Sequence, residues 1–267
     1  MPGCAPGVPK MPIHLHCAVL CAVLAVLLLG GDAFAWSFAF TSDSHDDRTG
    51  LFARVLSAVD NSDMEFLVHG GDMTERNEAA EWDRFREAAA SFRKPLYPVI
   101  GNREMNGPRA RERFTERFGL PGTSYSFTHK DTHFAILDNA GRSLPGKTLS
   151  WLDRDLAAHP KGSDGIAFLV VAMHVPPATG EISPHGTRAG YGAQCGKLLG
   201  ILKKHGVDAV LSGHEHMNIT EDWEGILVVV SGIERIPFLP FQRSGFYRID
   251  LEDGAVREKF IRIEAAP

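Results

Sequence analysis

An α/β fold is predicted for this 267-residue chain by two observations. Short apolar runs of strand length alternate with amphipathic stretches of helical period, and polar clusters rich in Asp and His stand where apolar runs stop. The composition agrees: with 44% hydrophobic and 23% charged residues the chain is neither a disordered tail nor a multi-span membrane protein, and it is long enough to bury a core without disulfide staples. Lys and Arg number 28 against 33 Asp and Glu, a net charge of −5. Nucleic-acid binders draw much of their affinity from phosphate neutralisation, so no nucleic-acid partner is expected.

Residues 1–35 stand apart. Lys10, His14 and His16 precede an apolar run from Ala18 to Leu29, Gly30-Gly31-Asp32 breaks it, and Ala33-Phe34-Ala35 offers a small-x-small cleavage site. This is the pattern of a secretory signal peptide, and the run is shorter than the roughly 20 residues that span a bilayer. The expectation is a secreted or periplasmic domain beginning at Trp36, with no membrane attachment after cleavage. Cys4, Cys17 and Cys21 fall in the leader, which leaves one cysteine, Cys195, in the mature domain, so no internal disulfide is expected there, and Cys195 reads as a buried small apolar residue on a helix.

From Trp36 onward the elements follow in order. Ser37 to Ser42 reads as a strand, and Leu51, Phe52, Val55, Leu56 and Val59 repeat at helical spacing. Met64 to His69 is the next strand, followed by a helix that places Trp82, Phe85, Ala89 and Phe92 on one face. Leu96 to Ile100 is extended, Arg109 to Phe118 helical, Phe134 to Asp138 a strand and Leu149 to Leu156 a helix. Ile166 to Met173 is a long buried strand, Cys195 to Lys204 a helix, and Val207 to Leu211 and Ile226 to Val230 are strands. Phe246 to Leu251 pairs with Val256 to Ile263 as a hairpin across Asp253-Gly254. The long irregular stretch Pro176 to Gly192, rich in Gly and Pro, is a candidate substrate-contacting loop.

Five polar clusters close apolar runs: Asp43-Ser44-His45, Gly71-Asp72, Gly101-Asn102, His174, and Gly213-His214-Glu215-His216. Ends of neighbouring strands share one rim of a sheet, so all five converge there. Asp43, His45, Asp72, Asn102, His174, His214 and His216 together supply nitrogen and oxygen donors without a thiolate, a set that suits Mn, Fe or Zn. Seven donors exceed the need of one ion. Two ions about 3.5 to 4 Å apart, sharing one carboxylate, is the economical arrangement. The glycines beside Asp72, Asn102 and His214 fit turns of unusual φ.

In this order the clusters resemble the calcineurin-like metallophosphoesterase family, whose pattern is DxH, GD, GNH followed by an acidic residue, an isolated His and GHxH. The resemblance runs from Asp43 to His216 and extends to His133–Asp138 and to the helix bearing Ser150-Trp151-Leu152. It implies a four-layer αββα sandwich of two mixed β-sheets flanked by helices. It also implies a first metal at Asp43, His45, Asp72 and His216, and a second at Asp72, Asn102, His174 and His214. Two divalent or trivalent transition-metal ions would generate a hydroxide that attacks the phosphorus of a small phosphorylated substrate, a mono- or diester. Asp72, His174 and Arg103 are the residues placed nearest that chemistry.

The third motif departs from the family, with Arg103 where it has His. That His is held to protonate the leaving oxygen. Arginine stays charged, so it binds phosphate bidentately but supplies no proton. Glu104, His69 or His185 would have to replace the acid, or the leaving group would have to be a good one, or the protein binds phosphorylated ligands and barely turns over. Glu104 and Glu215 neighbour ligands, with Glu215 reading as a solvated charge. His69 reads as a bonded strand-end residue, His129, His159 and His205 as surface residues, and Asp46 and Asp47 as a helix cap. Glu75, three residues past Asp72, stands where purple acid phosphatases carry a metal-binding tyrosine, so their chromophore is not expected although Gly101 to Glu104 is similar to their third motif.

Overall fold

The computed structural model describes residues 35–177, 188–233 and 243–264, with backbone alone for 188–193. The leader, His185 and residues 178–187 of the candidate loop lie outside the described residues.

Alternation of side chains along the strands builds two sheets. β1 (Trp36–Thr41), β2 (Leu67–His69), β3 (Leu96–Pro98), β10 (Gly245–Glu252) and β11 (Ala255–Arg262) form the first, in the order β11-β10-β1-β2-β3. β1 runs parallel to β2 and antiparallel to β10, so the sheet is mixed. β4 (Tyr125–His129), β5 (Thr132–Leu137), β6 (Phe168–Met173), β7 (Ala209–Ser212), β8 (Ile219–Trp223) and β9 (Ile226–Val230) form the second, in the order β4-β5-β6-β7-β9-β8. Its four central strands are parallel and its edges antiparallel.

Each central strand is apolar on both faces because both faces are covered. Phe38, Phe40 and Val68 of the first sheet meet Phe134, Val170 and Leu211 of the second in a core between the sheets. On the outer side of the first sheet, Ala39 and Leu67 pack beneath α1 (Leu51–Asp60), α2 (Ala79–Ala89) and α3 (Ala110–Phe118) through Phe52, Val55, Phe85 and Phe114. Val171, Met173 and Val210 pack beneath α4 (Gly146–Ala158) and α5 (Arg188–His205) through Leu149, Leu152, Leu198 and Leu202. Helix, sheet, sheet, helix is the four-layer arrangement expected.

Local chemistry sets several boundaries. The Asp47 carboxylate accepts from Phe52 N and Ala53 N and caps α1, as read from sequence. Asp46 instead bonds Arg48 and Arg84. Glu78 and Glu81 form a capping box at the start of α2, and Gly119 at φ 64° ends α3. Asp253 and Gly254, at φ 51° and 72°, make the tight turn of the β10–β11 hairpin.

The structure corrects the reading in places. β4 and β8 were absent from the predicted elements; both are edge strands, with Tyr125 their one buried residue, that pair only through a neighbour. α2 ends before Phe92, which still packs against the same core. α5 begins at Arg188 and so takes in the end of the stretch read as irregular. Cys195 lies on α5 half-buried against the outer core, short of full burial. His205 is mostly buried and bonds Asp153 Oδ1 at 2.7 Å, where a surface residue was expected.

Candidate metal centre

The five clusters meet at the carboxyl ends of β1, β2, β3, β6 and β7. Asp43, His45, Asp72 and His216 form one group, and Asp72, His174 and His214 a second, in each of which the donor atoms lie within 4.8 Å of one another. Asp72 is the carboxylate common to both. Asn102 joins the second through Oδ1, 3.1 Å from His174 Nε2. All seven donors read from the sequence are therefore brought together.

The backbone is bent to achieve this. Asp43, His45, Asp72, His214 and His216 all have positive φ, from 47° to 71°. Left-handed backbone is uncommon for residues other than glycine and costs on the order of 1 to 3 kcal/mol each, so five instances at one rim mark a site held in place by its surroundings. Gly71, at φ 102°, meets the expectation of unusual backbone. Gly101 and Gly213 do not: their φ is ordinary, and a side chain is excluded by crowding. A Cβ on Gly101 would collide with Asp72 N and Oδ1, and one on Gly213 with the Ser42 hydroxyl.

The donors fit cations better than they fit one another. His45 Nε2 and His216 Nε2 face each other at 3.1 Å, with Asp43 Oδ1 3.6 Å from the latter. His174 Nε2 lies 3.3 Å from Asp72 Oδ1 and 3.3 Å from His214 Nδ1. A shared proton satisfies two such atoms, whereas a cation satisfies the whole group.

Surrounding bonds aim the rings. His174 Nδ1 donates to Gly70 O at 2.9 Å, which turns Nε2 toward Asp72. The Glu75 carboxylate lies beside the His45 ring, Oε2 2.9 Å from Nδ1 but without hydrogen-bond geometry, while Nε2 faces the cluster. The Asp43 carboxylate accepts from His214 N at 2.9 and 3.1 Å, tying β1 to the turn after β7.

Glu104 is 1% exposed and anchors the floor. Oε1 accepts from Met73 N, Thr74 N and Thr74 Oγ1, and Oε2 from Asp72 N and Gly101 N, all between 2.9 and 3.1 Å. One carboxylate thus ties the Gly71-Asp72 turn to the Gly101-Asn102 turn. The sequence marked Glu104 as a neighbour of ligands but held no sign of its five donors, four of which come from another strand end.

Electrostatics follow from burial. Burial pushes the Asp43 carboxyl up to about 8, opposed by His174. Burial also disfavours charge on His174, but the nearby Asp72 carboxylate outweighs it and lifts the ring to about 9. In return, Asp72 is held well below the usual carboxylate range although burial acts the other way. Burial lowers His45 and pushes His69 down to about 3.

His69 is a strand-end residue as read: Nδ1 accepts from Gly71 N at 3.2 Å and Nε2 lies 2.9 Å from Ser44 Oγ. Glu215 overturns the reading of a solvated charge, being 2% exposed inside the His214–His216 turn. His129 and His159 are partly exposed, at 31% and 39%. Arg103 N donates to Asp72 Oδ1 at 2.9 Å, and its guanidinium reaches Glu75 Oε1 at 2.7 Å. A third group, His133, Asp155 and His159, sits at the opposite end of β5, where His133 bonds both Thr128 and Asp155.

Two mixed sheets between helices, with paired donor groups on one rim, define an α/β metallophosphoesterase fold. The family model of the calcineurin-like phosphoesterases matches residues 37–218, and the chain belongs to that family, which is dinuclear metal-dependent. The chain is 24% identical over 230 residues to a 3',5'-cyclic adenosine monophosphate phosphodiesterase of Haemophilus influenzae, covering 80% of this chain and 81% of the relative. The Escherichia coli K12 enzyme of the same name is 26% identical over 198 residues, 71% of this chain and 68% of the relative. Among solved structures, a dimetal phosphatase from Danio rerio superposes with a TM-score of 0.66 at 14% identity, covering 86% of this chain and 98% of that one. A purple acid phosphatase from yellow lupin superposes at 0.64 and 15% identity, covering 87% and 52%.

Proposed function

We propose that the domain hydrolyses phosphodiesters of small molecules in a reaction that requires two metal ions. The observation that carries this reading is the sharing of Asp72 by the two donor groups. Asp43, His45, Asp72 and His216 would hold one ion, and Asp72, Asn102, His174 and His214 the other; when bound, such a pair activates water and neutralises charge on phosphoryl oxygens. The relatives named as cyclic-nucleotide phosphodiesterases support a diester over a monoester. The leader read in residues 1–35 supports a secreted or periplasmic place of action.

The chain's own residues do the rest. Arg103, at the edge of the Asp72 group and 36% exposed, offers its guanidinium to a phosphoryl oxygen but no proton. Two of the residues considered as replacement acids are engaged: His69 is buried with both ring nitrogens in contact, and both oxygens of Glu104 accept hydrogen bonds. Substrates with leaving groups that depart unprotonated suit this arrangement.

Arg103 also favours a second reading, a phospho-ligand-binding protein on the same fold with little turnover. Hydrolysis of bis(4-nitrophenyl) phosphate with and without manganese separates the two. Metal-dependent turnover that disappears in Asp43→Ala is the expected result. Stoichiometric metal uptake and phosphate binding without turnover would establish the binder instead.

A further inference from the structure

We propose that a cavity beside the metal centre binds a mononucleotide-sized anion bearing an aromatic ring. The cavity, of about 640 Å³, lies between the start of α4 and the loops around Gly122–Ser124 and Gly141–Ser143. None of the metal-site donors lines it. It opens at the same rim of the second sheet, because Asp138 and Ser143 follow β5 and β5 pairs with β6, the strand that leads to His174. Asn139 ties the two together, donating from Nδ2 to Val175 O at 2.7 Å and accepting from Val175 N at 3.1 Å.

The chemistry of the lining points to the ligand. Lys147, Trp151 and Arg154 fall at i, i+4 and i+7 of α4, so a half-buried indole stands on one face of the helix with a cation one turn to either side. Trp151 packs one side against the outer core and lines the cavity as well. The third cation, Arg111, is neutralised by Asp138, its Nε 2.5 Å and its Nη2 3.3 Å from the two carboxylate oxygens. Lys147 and Arg154 have no such partner: among the described residues the side chain of neither takes part in an ion pair or hydrogen bond. Two uncompensated cations, an indole face and the hydroxyls of Ser143 and Thr148 make a lining of donors and one aromatic platform. That set recognises phosphate and a stacked base in one molecule. The volume falls within the roughly 300 to 1,000 Å³ of small-ligand sites.

The choice of a nucleotide among aromatic anions rests on the phosphodiesterase reading; the site itself does not. Its test therefore reads binding, using the metal-loaded full domain and adenosine monophosphate as probe. The Trp151 indole N–H resonance, assigned by its loss in Trp151→Phe, is followed during titration. A saturable shift is expected, weakened at least about tenfold, or ~1.4 kcal/mol, in the Lys147→Glu/Arg154→Glu double variant, with turnover of bis(4-nitrophenyl) phosphate unchanged. Adenosine and inorganic phosphate, each carrying half the features, should bind more weakly than the nucleotide. Absence of a saturable shift, equal affinity in the double variant, or equal affinity for phosphate alone would each overturn the proposal. Because the indole reports without turnover, a domain that hydrolysed nothing would still confirm or refute it.

Discussion

The Glu75 carboxylate accepts from the Arg103 guanidinium at Oε1, 2.7 Å away, while its other oxygen lies 2.9 Å from His45 Nδ1. One side chain thus lies against a metal-site imidazole and binds the cation that replaces the family's third-motif histidine. Residues from three strand ends meet in this contact.

Removal of that carboxylate frees both partners. Glu75→Ala is expected to lower metal affinity or activity by roughly 10- to 100-fold, the usual range when a carboxylate beside a ligating histidine is lost. Metal titration and steady-state kinetics on the same variant check it; unchanged values on both would show that His45 is positioned without Glu75.

Arg103→His restores a group able to donate a proton. A positioned general acid is worth about 10² to 10⁴ in rate and matters most for poor leaving groups. The gain should therefore be larger for alkyl than for aryl phosphoesters. Equal gains across a series of leaving-group pKa would refute a missing acid.

Glu104→Gln keeps the shape of the buried side chain but turns one acceptor into a donor facing backbone N–H groups. With either two or three donors stranded, a stability loss of about 2 to 4 kcal/mol is expected in urea unfolding with an unchanged m-value. A loss below about 0.5 kcal/mol would mean that the five bonds contribute nothing net.

Metal uptake should release protons. Near neutrality Asp43, pushed up to about 8, and His174, lifted to about 9, both hold a proton in the metal-free chain. Both folded values exceed the unfolded ones, 3.8 and 6.5, so stability declines with rising pH, between about 4 and 8 for Asp43 and between about 6.5 and 9 for His174. A bound cation takes the place of those protons. Below about pH 6.5 the lowered His45 and His69 act in the opposite sense, so the thermal midpoint of the metal-free protein should fall between about 6.5 and 9, that of the loaded protein should fall less, and about two protons should be released per domain near neutrality. Calorimetry in buffers of different ionisation enthalpy measures them; no proton release would contradict the assignment of these donors.

How much was legible depended on range along the chain. The helix of Leu51 to Val59 and the β10–β11 hairpin were readable because periodicity and an Asp-Gly turn act within a few residues. β4 and β8 were not, because as edge strands they lack a continuous apolar run and owe their conformation to the ladders they make with β5 and β9. Crowding at Gly101 and Gly213 was equally hidden, since what collides there comes from Asp72 and Ser42.

From the sequence alone came the α/β class and the seven donors, because each motif is local and each must stand where a strand ends. Only the tertiary structure decided that Glu104 ties two strand-end turns together, that Glu75 engages both Arg103 and His45, that Glu215 is buried, and that α4 carries two unpaired cations beside a tryptophan. Burial and bonding of this kind belong to pairs of residues far apart in the chain, and no local pattern encodes a pair before the sheets bring it together.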